Sequence, residues 1–398
     1  MTSKAGPKTL SVQAGEGIPG DYGPISPPLV LASSFKVRPD AVGFSALDMD
    51  EESPYFYSRW SNPSLTVLEE KLAALEGGEA AVVFASGMAA ISGLLLHLLS
   101  AGDHVILPDV CYAAVLESGH DILPRFGIEV SFVDTSDLEA IEAALKPNSR
   151  HIHLETPCNP ILRLADVEAV SNIARKEGLT LSVDSTIASP LGLSPIRLGA
   201  DFVIHSMTKY ICGHGDALGG VVIGSKDRMA ELRTDALIHF GGILGVFDAW
   251  LLTRSLHSLP GRMRQHQDGA MTVAQFLEAH PLIEKVLYPG LPSHPQAGLA
   301  KSQMTNFSSL LAFRTKNGRK LAEKLAKRLE VFTYAVSLGK SRSLIFYIPS
   351  EDFQRSSLRM DRSALARYKD WAGDGVFRVS VGLEDPQDLI RDLEQALS

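Results

Sequence analysis

Apolar residues recur along the chain at two spacings, and the places where one gives way to the other mark its elements. From Leu65 to Leu75 the positions Leu65, Leu68, Leu72 and Leu75 follow the three-and-four spacing of an amphipathic helix, stopped by Gly77-Gly78. Val82 to Ala85 then reads as a strand, and Ser86-Gly87-Met88 opens an apolar helix over Ala89 to Leu99. Further β-prone runs follow at His104–Leu107, Ile128–Val133, His151–Leu154, Leu179–Val183 and Asp201–Ile204. Strand and helix alternating between about 80 and 225 predict an α/β fold, a mostly parallel sheet with helices on both faces. Past Gly224 the texture turns helical, with helices expected over Trp250–Leu259 and Val273–Ala279. A smaller α/β region from about 256 mixes a strand at Ser309–Phe313 with a helix at Gly318–Leu329, and ends in a strand at Val376–Val381 and a helix from Pro386. Residues 1 to about 60 are rich in Gly and Pro without sustained periodicity, a texture found in segments that are functional, disordered or docked on a partner. The expected divisions are therefore 1–60, 61–255 and 256–398.

Bulk properties narrow the function without naming it. At 398 residues the chain exceeds a usual single core, and its 45% hydrophobic content is ample for two. The net charge of −8 comes with no basic block, which argues against nucleic acid and leaves small metabolites and other subunits. Three cysteines, Cys111, Cys158 and Cys212, lack metal or disulfide spacing, so a reducing, cytoplasmic setting is expected. No run of about 18 apolar residues predicts a membrane span. His151 and His153 straddle Ile152 in a strand, and no Cys, Asp or further His completes a ligand set; a structural role is expected there and no metal.

Candidate chemistry gathers after two of the strands. Asp201–Ile204 delivers Ser206, Thr208 and Lys209 to one place, and a lysine amine with a lowered pKa attacks aldehydes, most commonly pyridoxal phosphate (PLP) as a Schiff base. Taken alone, a lysine after a strand is more often solvated. Ser206 and Thr208 share a face in extended chain and can both donate to one phosphate. Leu179–Val183 ends in Asp184-Ser-Thr186, a carboxylate where open α/β sheets keep their ligands, able to hold a pyridine nitrogen protonated. The Ser86-Gly87 turn at a helix start is suited to phosphate, although such turns are often only caps. Arg378, inside an apolar strand, calls for a carboxylate to meet it.

Together, Asp201–Gly215, Asp184-Ser-Thr186, Glu155-Thr-Pro-Cys-Asn-Pro160, Tyr57-Ser-Arg59, Ser86-Gly-Met88 and Arg378–Asp385 resemble the Cys/Met-metabolism PLP enzymes, from about Lys8 to the end. That family includes cystathionine lyases and synthases, methionine γ-lyase and homoserine sulfhydrylases. The resemblance implies the PLP-dependent transferase fold of type I with a seven-stranded sheet, a PLP-binding domain over 61–255 and a homotetramer built as a dimer of dimers. It implies that the 1–60 arm wraps the neighbouring subunit, with Tyr57 and Arg59 reaching the cofactor phosphate of the other active site. Ser86, Gly87, Met88, Ser206 and Thr208 then bind cofactor, Tyr112 stacks on the ring and takes part in proton transfer, and Asn159 bonds the ring hydroxyl. Asp184 holds the ring nitrogen, Lys209 carries the cofactor and moves protons, and Arg378 clamps the substrate carboxylate.

The implied activity is elimination at Cβ or Cγ of a sulfur-containing amino acid. A γ-replacement synthase is the alternative, and a non-catalytic PLP-binding protein the alternative of another class. Three positions depart from the family pattern: Ser185 stands for a common Asn, Phe56 for an acid in several cystathionine enzymes, and Arg342, in Ser337-Leu-Gly-Lys-Ser-Arg342-Ser343, for a usual Glu. With Ser337 and Arg342 facing substrate, the reversed charge predicts a preference for an anionic or neutral distal group over cystathionine. The competing expectation is an Arg342 side chain in solvent.

Overall fold

A computed structural model describes residues 5–16, 23–37 and 55–398; the rest of the expected 1–60 arm lies outside the described residues. The helix Pro63–Glu76 shows how local chemistry sets an element. Asn62 caps it by accepting the Ser64 amide at 2.9 Å, Pro63 fits its first turn, and Gly77 ends it at φ +83°. Leu65, Leu68, Leu72 and Leu75 are all buried, each worth roughly 1.5–3 kcal/mol of removed apolar surface. The helix also buries polar groups that periodicity does not reveal. Lys71 Nζ donates to the Ser11 and Val12 carbonyls and to Glu16, tying down the short helix Pro7–Gln13, while Glu69 accepts from the Val83 amide and from Arg233.

Seven strands form the larger sheet: β1 (Ala80–Phe84), β2 (His104–Pro108), β3 (Glu129–Val133), β4 (Ser149–Glu155), β5 (Thr180–Asp184), β6 (Phe202–Ser206) and β7 (Gly220–Gly224). Their order is β1-β7-β6-β5-β4-β2-β3. The pairs β2–β3, β2–β4 and β4–β5 are parallel, while β7 runs antiparallel to both β1 and β6. The sheet is thus mixed; β2 and β7 are buried along their whole length, whereas β3 at the sheet edge is only part-buried and β4 alternates apolar residues with histidines. Five strands form the smaller sheet: β8 (Lys285–Leu287), β9 (Leu310–Arg314), β10 (Thr333–Tyr334), β11 (Leu344–Pro349) and β12 (Gly375–Ser380), ordered β10-β11-β12-β9-β8.

By contacts the chain divides into two compact units. One comprises residues 1–98, 195–197 and 201–260, and holds β1, β6 and β7. The other comprises 99–194, 198–200 and 261–398, with β2 to β5 and the whole smaller sheet. The second unit has two apolar cores, one around Ile152, Leu154, Leu181 and Val183, the other around Leu311, Phe313, Ile345, Phe377 and Leu393.

Two helical expectations need correction. The helix expected over Trp250–Leu259 spans Val246–Leu256, and the one expected over Val273–Ala279 is the last third of a 21-residue helix, Leu259–Ala279. The first part of that helix buries Arg262 and His266 among Leu259, Met263 and Ala270, with His266 Nδ1 at 2.9 Å from the Val381 carbonyl, so its apolar stripe is interrupted by polar residues. The histidine pair lies inside the β4–β5 ladder as structural polar contacts: His151 meets the hydroxyls of Thr180 and Ser182, and His153 Nδ1 meets Ser182.

Candidate active site

In the first unit, the end of β1, the end of β6 and a helix start lie close together. Strand β1 leads to Ser86, whose Oγ accepts the Ala89 amide at 3.1 Å and so caps the helix Gly87–Leu98. The approach of this helix start to the end of β6 is close enough to exclude a side chain. A Cβ on Gly87 lies 2.8 Å from Ser206 Cβ, and one on Gly220 lies 2.1 Å from the Ser86 carbonyl oxygen. The helix start therefore lies against Ser206; the unpaired amides and positive dipole end of a helix start favour a phosphate dianion.

Ser206 closes β6 and Lys209 follows in a turn, its amide donating to the Ser206 carbonyl at 3.2 Å. Thr208 is not in extended chain, which corrects the expectation that Ser206 and Thr208 share a strand face. The strand stops at Ser206, and Thr208 Oγ1 accepts the Gly219 amide at 3.2 Å. The two hydroxyls are joined by a turn rather than by strand alternation. Arg59 donates to the Ile238 carbonyl and stacks over the Tyr57 ring, 5.6 Å from its centroid; Tyr57 itself is 42% exposed. A lysine three residues past a strand end that packs on a helix start fits an aldehyde that carries a phosphate ester.

The second unit holds the carboxylates and the guanidinium. Asp184 ends β5, buried, with one oxygen accepting the Thr186 amide at 2.9 Å. Glu155 ends β4 and is in register with Asp184. Its Oε2 accepts the Tyr112 amide and its Oε1 the Asn159 amide, both at 2.7 Å. Burial and the neighbouring Asp184 charge raise the Glu155 pKa, against the two amides and the field of Arg378. A buried carboxylate such as Asp184 suits a protonated heterocyclic nitrogen.

Arg378 stands in β12 with Nη1 on Asn159 Oδ1 at 2.9 Å and Nη2 on the Ser337 carbonyl at 3.1 Å. Ser337 adopts φ +91°, a left-handed conformation that turns its carbonyl toward the guanidinium. Of the residues expected to face substrate, Arg378 thus meets the Ser337 carbonyl, and it also meets Asn159, which was expected to face the cofactor. Tyr112 precedes the helix Ala113–Asp121 and is 48% exposed. Arg342 is exposed, and the loop bearing it is pinned by its neighbour: Ser343 donates through its amide and hydroxyl to the two oxygens of Glu384, each at 2.8 Å.

Glu155 stands within a sequence motif that assigns it no task. The signal was the same as for Asp184, a carboxylate at the carboxyl end of a buried strand. The three cysteines are free and buried, and burial pushes the Cys158 thiol up to about 12, which makes it inert. Among the described residues no His, Cys, Asp and Glu group is placed to hold a metal, and no helix is long and apolar enough to cross a membrane.

The sequence model of the Cys/Met metabolism PLP-dependent enzymes matches residues 8–398. An L-methionine gamma-lyase of Fusobacterium nucleatum subsp. polymorphum is 41% identical over 100% of this chain and 99% of its own length. A canavanine gamma-lyase of Pseudomonas canavaninivorans is 40% identical over 98% of this chain and 95% of its own. The crystal structure of cystathionine gamma-lyase from Lactobacillus plantarum complexed with L-serine is 34% identical, covering 99% of this chain and 98% of that one, with a TM-score of 0.88. The chain belongs to the Cys/Met metabolism PLP-dependent enzymes.

Proposed function

We propose that this enzyme eliminates a substituent from Cβ or Cγ of a sulfur-containing amino acid, as a carbon–sulfur lyase. The observation that carries the reading is the lysine set three residues past a strand whose end, Ser206, meets the Gly87 helix start at a distance only glycine allows. Bound PLP supplies an electron sink for the carbanion formed at Cα. Lys209 would hold that cofactor covalently, and its free amine would act as general base at the α-proton and carry protons onward. Ser86, Gly87, Met88, Ser206 and Thr208 bind the phosphate, joined by Tyr57 and Arg59 from a neighbouring copy. Asp184 keeps a proton on the ring nitrogen, Tyr112 covers the ring, and Asn159 meets the ring oxygen.

Arg378 takes the α-carboxylate of the substrate, and its hold by Asn159 and Ser337 supports that role because a fork already aligned loses little freedom on binding. The exposed Arg342 selects substrates whose far end is neutral or anionic. The assembly is a homotetramer, and the setting cytoplasmic; three buried free thiols support the latter.

The experiment is incubation of the PLP-loaded protein with methionine, cysteine and cystathionine, and separately with an activated homoserine ester plus a thiol. Release of 2-oxobutyrate or pyruvate in step with ammonia is expected. A new thioether formed from an activated homoserine without keto acid contradicts the lyase reading in favour of replacement. No product from any substrate, with PLP bound, contradicts both.

A further inference from the structure

The second unit contains a buried acid that the reaction above does not use. Glu155 is 6% exposed, and each of its oxygens accepts one backbone amide, from Tyr112 and from Asn159, at 2.7 Å. These amides belong to different loops, one following β2 and one following β4. Tyr112 sits at the start of the helix Ala113–Asp121, which has no side-chain cap of its own. Asn159 lies in Thr156-Pro-Cys-Asn-Pro160, where two prolines have no N–H and the Cys158 amide is bonded to the Arg163 carbonyl at 2.9 Å. The Asn159 amide is thus a scarce donor, and Glu155 takes it.

Register gives the arrangement its reference point. Glu155 and Asp184 are paired residues at the ends of adjacent parallel strands, so their side chains leave the same face of the sheet. The ladder continues one residue further, with the Thr156 amide donating to the Asp184 carbonyl at 3.2 Å. Two buried carboxyls side by side are electrostatically costly. Hydrophobic residues of similar volume fill a sheet end without that cost, so retention of an acid calls for what an acid alone supplies here: two acceptors, one for each loop.

We propose that Glu155 is a positioning residue, whose two oxygens hold the loops carrying Tyr112 and Asn159 in fixed register with Asp184. The inference rests on the reading of Tyr112, Asn159 and Asp184 as PLP-binding residues. Through Asn159 the tether extends one step more, because Asn159 Oδ1 accepts from Arg378. Gln is nearly the same size as Glu but offers one acceptor, and turns an NH2 group toward the second amide. Asp keeps the charge but is one carbon shorter and reaches only one loop.

The test is amide hydrogen exchange and visible circular dichroism on the PLP-loaded full chain, for wild type, Glu155→Gln and Glu155→Asp. In wild type the Tyr112 and Asn159 amides should exchange slowly. In Glu155→Gln at least one should exchange about tenfold to a hundredfold faster, the cost of a lost buried hydrogen bond. The dichroism of bound PLP should fall and its dissociation constant rise about tenfold. Glu155→Asp should resemble the Gln variant; restoration of wild-type values by Asp overturns the tether in favour of charge alone. Unchanged exchange and dichroism in Glu155→Gln overturn it as well. If neither variant folds, rapid exchange of the two amides in wild type still overturns it and slow exchange supports it. A wild type that takes up no PLP defeats the underlying reading, while the exchange result separately reports on the tether.

Discussion

At the scale of single residues, Arg378 and Arg342 share a charge and differ in everything else. Arg378 is fixed by two hydrogen bonds and lies within β12, whereas Arg342 is exposed on a loop. Arg378→Lys keeps the charge but loses the planar fork, and should lower kcat/KM for the amino acid about tenfold to a hundredfold, chiefly through KM, with the PLP absorbance intact. A normal KM in steady-state assays counts against the clamp. Arg342→Glu should raise turnover of cystathionine relative to the other substrates, measured as a ratio of kcat/KM values; an unchanged ratio leaves Arg342 as a solvated surface cation. Asp184 and Arg378 were legible as ionisable groups at a strand end and inside an apolar strand, and Lys209 as a lysine just past one, beside hydroxyls and glycines. The partners of Glu155 are backbone amides in two separate loops, and backbone leaves no mark on residue type.

Elements were read where one face is apolar and missed where the buried face is polar. Leu65 to Leu75 announced their helix, but Glu69, Lys71 and Glu76, buried on the same helix, did not. Strand β7 was not separated from its surroundings because its apolar stretch, Val221 to Ile223, is only three residues between glycines. The glycine that opens β7, Gly220, is required by its approach to the Ser86 carbonyl, a packing constraint that leaves no apolar periodicity behind.

The junction of helix and strand at Gly87 and Ser206, the proposed phosphate site, makes a test of the same kind. Gly87→Ala must push Ser206 aside, a strain of about 1–3 kcal/mol, and should weaken PLP retention on dialysis about tenfold; undiminished retention shows that the junction yields freely.

The β4–β5 ladder makes a pH prediction. Burial lowers the His153 pKa from 6.5 to about 4, so between these values the unfolded chain binds the proton that the native chain refuses. Wild type should therefore lose stability relative to His153→Gln as pH falls from about 6.5 to about 4, by up to ~1.4 kcal/mol per pH unit. Parallel denaturation midpoints for the two proteins across that window would refute the assignment of a neutral, buried imidazole.

The whole molecule adds the question of how many chains make one site. Tyr57 is exposed and stacked under Arg59, whose visible bond is to Ile238 of its own chain. The proposal that the pair serves a neighbouring copy is tested by mixing inactive Arg59→Ala with inactive Lys209→Ala protein under exchange conditions. In a two-fold pair one mixed site carries both changes and the other carries neither, so about a quarter of wild-type activity should return. No recovery in demonstrated mixed oligomers places Arg59 with its own Lys209.

The central claim, that one amine carries the cofactor, has a direct measurement. The PLP-loaded protein is reduced with borohydride, digested and mapped by mass spectrometry. The account predicts a pyridoxyl phosphate adduct on the peptide containing Lys209; an adduct confined to another lysine, or none in protein shown to bind PLP, contradicts it.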